Sequence, residues 1–343
     1  MKNSLWSLLS VLASLRFIFL ITCVAGLAFF FPEPGSKGGF LMPEKSQYWS
    51  IFLIFFFNGL VLRTRSIVRG LVQWRVHLFT QLAIFVLAPL LAYFVLLGFE
   101  NSLDKNLALG VFFLAVLPCT ISTSVVFTAN AGGDSTIALV NSTLSNVAGV
   151  FLVPLLIGLQ IATSSGGGNI TEMLGRTTSL ILPPLFLGQL VRIFLRGKID
   201  PHRKRFGQIN AGLILFQTYL IYCGTVATGV WQKDLFDDLP LLLLALLIFA
   251  FALMGCIWLG LRLVHFERQA AIAAFICGSQ KTVAAGIPLA TAVFHGTEIN
   301  VALITLPVLL YFFISVGITS IVGQRLADHH SEIKSSSSKV TAP

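Results

Sequence analysis

The sequence predicts an all-α polytopic membrane protein of ten transmembrane helices. Three observations carry that prediction. Of the 343 residues, 56% are hydrophobic and only 11% are charged, against roughly 25% charged in an ordinary soluble domain. The apolar residues fall into ten long runs, most near the ~20 residues that a helix needs to cross a bilayer. The formal charge of +9 lies in short basic blocks between those runs, which is the pattern of membrane-flanking loops rather than of a nucleic-acid surface. Strands are excluded from the apolar zone because a lone strand would leave its backbone groups unsatisfied in lipid.

In chain order, residues 1–16 are read as a cytoplasmic lead-in. Lys2 and the run Leu5–Leu15 faintly suggest a signal peptide, but Arg16 interrupts and no small-residue cleavage site follows. The spans are placed at 17–32, 49–62, 76–98, 106–129, 136–161, 177–195, 207–230, 239–262, 269–294 and 299–322. Between the second and third, residues 63–75 place Arg65 and Arg69 on one side of a helix and Ile67, Val68, Leu71 and Trp74 elsewhere. That suits a short helix lying on the membrane surface, and a plain solvated connector fits as well. Gly166–Gly168 lie in a loop, not a nucleotide site, and Asn169–Thr171 spell a glycosylation sequon. Residues 324–343 are Ser-rich and polar, and are expected to be a disordered cytoplasmic tail.

Lysine and arginine set the expected orientation. With the N-terminus inside, 17 of the 23 basic residues are cytoplasmic, five are external and Lys281 stands within a span. Both termini are therefore expected on the cytoplasmic side of a plasma or bacterial inner membrane. The transmembrane domain, 17–323, divides into candidate repeats 17–161 and 177–323. Five spans per repeat would make the second upside down relative to the first, a common transporter architecture with its site at broken helices near the midplane. Two segments look broken: LPCTISTSVVFTANAGGD (117–134), where Pro118 precedes a polar run, and ICGSQKTVAAGIP (276–288). Each is the fourth span of its half.

The polar residues within spans concentrate in these places. Thr120, Ser122, Thr123, Ser124 and Thr128 lie in span 4, Asn141, Ser142, Thr143, Ser145 and Asn146 in span 5, and Ser279, Gln280, Lys281 and Thr282 in span 9. Span 3 adds Gln81, with His77 nearby. Facing lipid would be costly, so they should face protein or a wet cavity. Ser142, Ser145 and Asn146 share one helix face, and their oxygens suit a small hard cation. The competing explanation is that Ser and Thr simply bond helix to helix or back to their own carbonyls. Lys281 is the sharpest single residue, because all fourteen acidic residues lie in loops or at span ends. Three outcomes stay open for it: a neutral amine, an ammonium that meets an anionic substrate, or an ammonium in a wet vestibule. The five cysteines all fall in apolar segments without metal-ligand spacing and are read as small buried residues. No zinc pattern, phosphate loop or nucleophile–base pair marks an enzyme.

On these residues the chain resembles the sodium/bile-acid symporter superfamily, and looks closest to the branch of member seven of solute carrier family ten and its bacterial relatives. The matching stretches are IFFFNGLVLRT (54–64), VHLFTQ (76–81), 117–134, NSTLSN (141–146), LPPLFLGQLVR (182–192) and 276–288. The resemblance implies two inverted five-helix repeats, with spans 1, 2, 6 and 7 as a panel, spans 3–5 and 8–10 as a core, and spans 4 and 9 unwound and crossing. It implies a substrate or ion site at Gln81, Thr123, Ser124, Ser142, Asn146 and Gln280, to which the polar residues of spans 5 and 9 add Ser145, Lys281 and Thr282. Within that set it implies sodium ligands at Thr123, Ser124, Ser142, Asn146 and Gln280. The chain departs from the pattern at Ile276, where the sodium-coupled branch has Glu, and at Lys281, where it has Asn. Repulsion between Lys281 and a cation a few ångströms away would be on the order of several kcal/mol at an effective dielectric near 20, which argues against conventional two-sodium coupling. The expected function is a symporter-like secondary transporter of a small, anionic organic solute, with Na+ or H+ as a candidate coupling ion. The rival is a membrane regulator of calcium or other cation entry without a transport cycle, since the member-seven branch is tied to calcium homeostasis. The expected partners are the lipid bilayer and the small solute or ion, not nucleic acid.

Overall fold

The computed structural model describes residues 16–17, 19–61, 73–100, 102–165, 170–227, 234–297 and 299–340. The lead-in up to residue 15, the surface segment 63–72, the glycine run and the sequon's Asn169 lie outside them. Every regular element among the described residues is helical. We number them α1 (Phe19–Phe30), α2 (Pro43–Val61), α3 (Trp74–Leu97), α4 (Lys105–Val116), α5 (Ile121–Asn130) and α6 (Ser135–Ser165). They continue as α7 (Ile170–Ile199), α8 (Arg203–Ala227), α9 (Asp234–Val264), α10 (Arg268–Ser279), α11 (Val283–Val293) and α12 (Val301–Val340).

By length and composition seven segments can cross a membrane: α3, most of α6, α7, α8 and α9, α10 with α11, and the first part of α12. The pair α4 and α5 makes an eighth if its two arms, bent by 59°, form one span. The helix α1 is apolar but short. The burial pattern is inside out relative to a protein in water. Phe186, Ile193 and Phe194 on α7 and Phe251, Trp258 and Leu259 on α9 are exposed, while Asn141, Ser142, Ser145, Gln217, Gln280 and Lys281 are buried. Apolar side chains cost nothing against lipid, whereas polar ones must find partners inside.

Two regions organise the packing. The helix α2 lies along α7 and also touches α8. A Cβ at Gly59 would sit 2.2 Å from the Leu185 carbonyl oxygen, and one at Gly188 would sit 2.1 Å from that of Phe56. Only glycine lets these backbones meet. In the second region α10 is wrapped by α3, α5, α6 and α9, and α12 packs on α4, α9 and α11. The segment formed by α10 and α11 is the most enclosed of the candidate spans, at 83% buried.

The last helix runs to Val340, into the polar tail for which composition predicted disorder. Composition reports that the tail has nothing to bury. It does not report that a helix already nucleated in the apolar run can propagate into it, since extension costs far less than nucleation.

Candidate functional site

The first break follows from Pro118. Proline pushes the preceding residue out of helical geometry, and Leu117 is extended (φ −66°, ψ 146°), as is Thr120 (φ −76°, ψ 131°). Gly149 on α6 admits the proline ring, for a Cβ there would lie 3.0 Å from Pro118 Cγ. The second break spans residues 280–282, with Gln280 (ψ 136°) and Thr282 (ψ 124°) extended. The Thr282 side chain then caps α11 by accepting from the Ala285 N–H at 3.3 Å, an ordinary N-cap role.

The two breaks bond to each other. The Thr282 N–H donates to the Pro118 carbonyl at 2.9 Å, and the Thr120 hydroxyl donates to the Lys281 carbonyl at 3.0 Å. The Thr123 hydroxyl reaches the Gln280 amide oxygen at 3.4 Å, and the Gln280 amide donates to Thr319 Oγ1 at 2.8 Å. Tyr311 closes the rear of the second break by donating to the Ser279 carbonyl at 2.8 Å. The first break is tied to α6: Ser145 Oγ accepts the Cys119 N–H at 3.3 Å, and Asn146 Nδ2 donates to the Cys119 carbonyl at 2.8 Å.

Lys281 lies at the centre and is 1% exposed. Its Nζ donates to the carbonyls of Ala115 (2.6 Å), Leu117 (2.9 Å) and Ile84 (3.2 Å). Three acceptors match the three N–H donors of an ammonium. No carboxylate pairs with it among the described residues; their ion pair Arg192–Asp200 is elsewhere. Of the three outcomes left open by sequence, this geometry is a closed cage around the amine, neither a wet vestibule nor an open anion contact.

The nine predicted residues divide into three groups. Thr123, Ser145, Asn146, Gln280, Lys281 and Thr282 meet at the crossing of the breaks. Ser142 turns its hydroxyl back to the Ala138 carbonyl at 2.7 Å. Gln81 donates to the Asn141 carbonyl at 3.2 Å, beside the 2.9 Å contact of His77 Nδ1 with Asn141 Oδ1. Three buried polar atoms in the surrounding helices have no partner among the described residues, Gln81 Oε1, Thr128 Oγ1 and Asn141 Nδ2, while the Ser124 hydroxyl faces the thiols of Cys119 and Cys277. Buried polar atoms are rarely orphaned unless a water, ion or solute serves them.

Sodium is the ion that the resemblance implies, and charge is what speaks against it, since Lys281 is buried at the crossing with no carboxylate beside it among the described residues. Of the five expected ligands, Ser142, Asn146 and Thr123 donate their protons to protein acceptors, which leaves their oxygen lone pairs available to an ion. Gln280 already accepts from Thr123. The carboxylate position is Ile276, which is buried and apolar. Among these oxygens a carboxylate, of the kind that hard-cation sites use, is missing.

Sequence reasoning missed the backbone. Carbonyls have no side-chain signature, although Pro118 and Pro89 were the available signals, as shown below. It also missed Thr319 and Tyr311, and it read Cys119 and Cys277 as inert. These two thiols touch each other between the breaks, and Cys119 also contacts Ser145.

A helical membrane protein with two mutually bonded helix breaks and a buried polar centre belongs to the class of membrane transporters. The SBF-like CPA transporter family matches residues 16–328, and the chain belongs to that family. It is 30% identical to the uncharacterised protein PA2026 of Pseudomonas aeruginosa over 278 residues, covering 81% of this chain and 83% of the relative. It is 30% identical to sodium/bile acid cotransporter 7 of Danio rerio over 301 residues, 86% and 88% of the two chains. With sodium/bile acid cotransporter 7 of Xenopus tropicalis the identity is 29% over 301 residues, 86% of each.

Proposed function

We propose that the chain is a secondary transporter of a small organic anion, working by alternating access and without coupling to sodium. One observation carries the reading: a buried ammonium at the crossing of two helix breaks, with no carboxylate to balance it among the described residues. A positive charge in a low-dielectric setting attracts an anion far more strongly than it would in water. The orphaned atoms of Gln81, Thr128 and Asn141 supply donors and acceptors for the neutral part of a solute. Lys281 acts through its field, since its N–H groups are already engaged. Gln280, Thr123 and Thr282 shape the site by holding the breaks together. The Asn141 Nδ2 group, on α6, is a candidate for direct contact.

The proposed architecture has ten crossings in two inverted repeats, with both termini inside. It is supported by the matching positions of the breaks: α4–α5 and α10–α11 each form the fourth helical segment of a half. Broken helices in corresponding positions are where transporters bind their substrates. The family is one of transporters, so a regulator without a transport cycle is not favoured.

The test is flux. Purified protein in liposomes is screened with labelled small carboxylates, sulfonates and sulfate esters, with neutral and cationic analogues of similar size as controls. Saturable uptake confined to anions is the expected result. Uptake of cations in preference, or of no solute at all, would sink the reading.

A further inference from the structure

The carbonyls around Lys281 share a cause. In α3 the segment Ala83–Leu87 is a π turn, and the Ala88 N–H donates to the Ala83 carbonyl. In that register the next donor, due to Ile84, would come from residue 89, which is a proline and has no N–H. At the end of α4 the usual donor to Ala115 would be Cys119, whose N–H goes instead to Ser145 Oγ. Leu117 has left helical geometry in front of Pro118. Two prolines in two spans thus expose three carbonyl oxygens toward one point, two of them at the C-terminal end of a half-helix. Unwound carbonyls and half-helix C-termini are what transporters use to coordinate a coupling cation.

The geometry points to a monovalent-cation site that the chain fills with its own side chain: the Lys281 ammonium is a resident cation, tethered where a free one would bind. The four-carbon stem delivers the charge through α10 and α11, so the cation moves with the second break and never dissociates. The apolar Ile276 at the carboxylate position is then expected, because the cage already holds its cation. A plain helix cap would also place a lysine on terminal carbonyls. The two differ in what an emptied cage does: a cation site accepts a small cation from solution, whereas a mere cap does not. The consequence for coupling rests on the transporter reading above, but the cage does not.

The test uses the full chain in detergent and compares thermal unfolding of wild type and Lys281→Ala at fixed ionic strength. The salts are choline, sodium, ammonium and n-propylammonium chloride; the last replaces the atoms that the substitution removes. The wild type is expected to unfold at the same temperature in all four. Lys281→Ala is expected to unfold several degrees lower in choline, and to regain at least half of that loss, saturably, in propylammonium or ammonium. If the variant cannot be recovered folded from choline, the monodisperse fraction extracted in propylammonium against choline is the readout, with a gain expected in propylammonium. Saturable stabilisation of the wild type by sodium would overturn the inference. So would a variant indifferent to all four salts, or one unrecoverable in any of them. These outcomes do not depend on flux: an inert protein in the uptake screen with a cation-rescued variant here would sink the transporter reading and leave the cage standing.

Discussion

Arg192 and Lys281 do similar local work with different charge balance. Both are buried cations that cap backbone carbonyls. Arg192 donates to the Leu60 carbonyl at 2.8 Å where α2 ends, and to Asp200 at 2.8 Å. Gln189 helps by donating to the Gly59 carbonyl at 2.7 Å. The Arg192–Asp200 pair is neutral, sits in a region tightly packed through glycine, and reaches the surface at the partly exposed Asp200. Lys281 caps three carbonyls with no counter-charge among the described residues, inside the most enclosed segment of the molecule. A neutralised cation is a fastening. An unbalanced one inside a membrane is expensive to keep, and a chemical task justifies it. The contrast separates a region that holds the fold from one that handles charge.

Six substitutions, one of them a control, can break or sharpen the contrast. The largest expected effect is on folding. Gly188→Val drives a side chain into the Phe56 carbonyl, which is backbone and cannot step aside, at a cost at or above the top of the ~1–3 kcal/mol typical of overpacking. Size-exclusion chromatography should show aggregated protein, while Gly212→Ala, where nothing lies within 4 Å, should elute as wild type. Next, Lys281→Met should reduce anion uptake to background and lower the unfolding temperature, each uncapped carbonyl costing about 1–3 kcal/mol, not additively. The matched Arg192→Met should lower the unfolding temperature and leave the uptake of the folded fraction intact. If both variants lose transport equally per folded molecule, the contrast fails. Thr120→Val removes one bond between the breaks and should cost about 0.5–1.5 kcal/mol in chemical denaturation. The smallest effect belongs to Asp200→Asn. Its ion pair is partly exposed and should contribute no more than about 1 kcal/mol, with uptake unchanged.

The membrane class was legible in the sequence because hydropathy is additive along the chain, and α3 and α9 end within a few residues of their apolar runs. The first break was legible because Pro118 can neither donate nor tolerate a helical neighbour. Lys281 stood out by lacking an acidic residue at its depth. What could not be read was which way the polar groups turn. A serine or asparagine gives no sign in the sequence of which carbonyl takes its proton and so where its oxygen is left to face, and Ser142 and Asn146 donate to Ala138, Cys119 and Ser142 carbonyls. The cage was hidden for a related reason, since the π turn that frees Ile84 depends on how α3 packs against α10 and α4, not on composition.

The central claim is that the charge at the crossing serves an anion without help from sodium. The most direct measurement is uptake of a labelled anion substrate into liposomes, with sodium replaced throughout by choline, for wild type and Lys281→Met side by side. The account predicts undiminished wild-type uptake in choline and background uptake by the variant in either salt. Wild-type uptake that collapses without sodium, or a variant that transports as well as wild type, would contradict it.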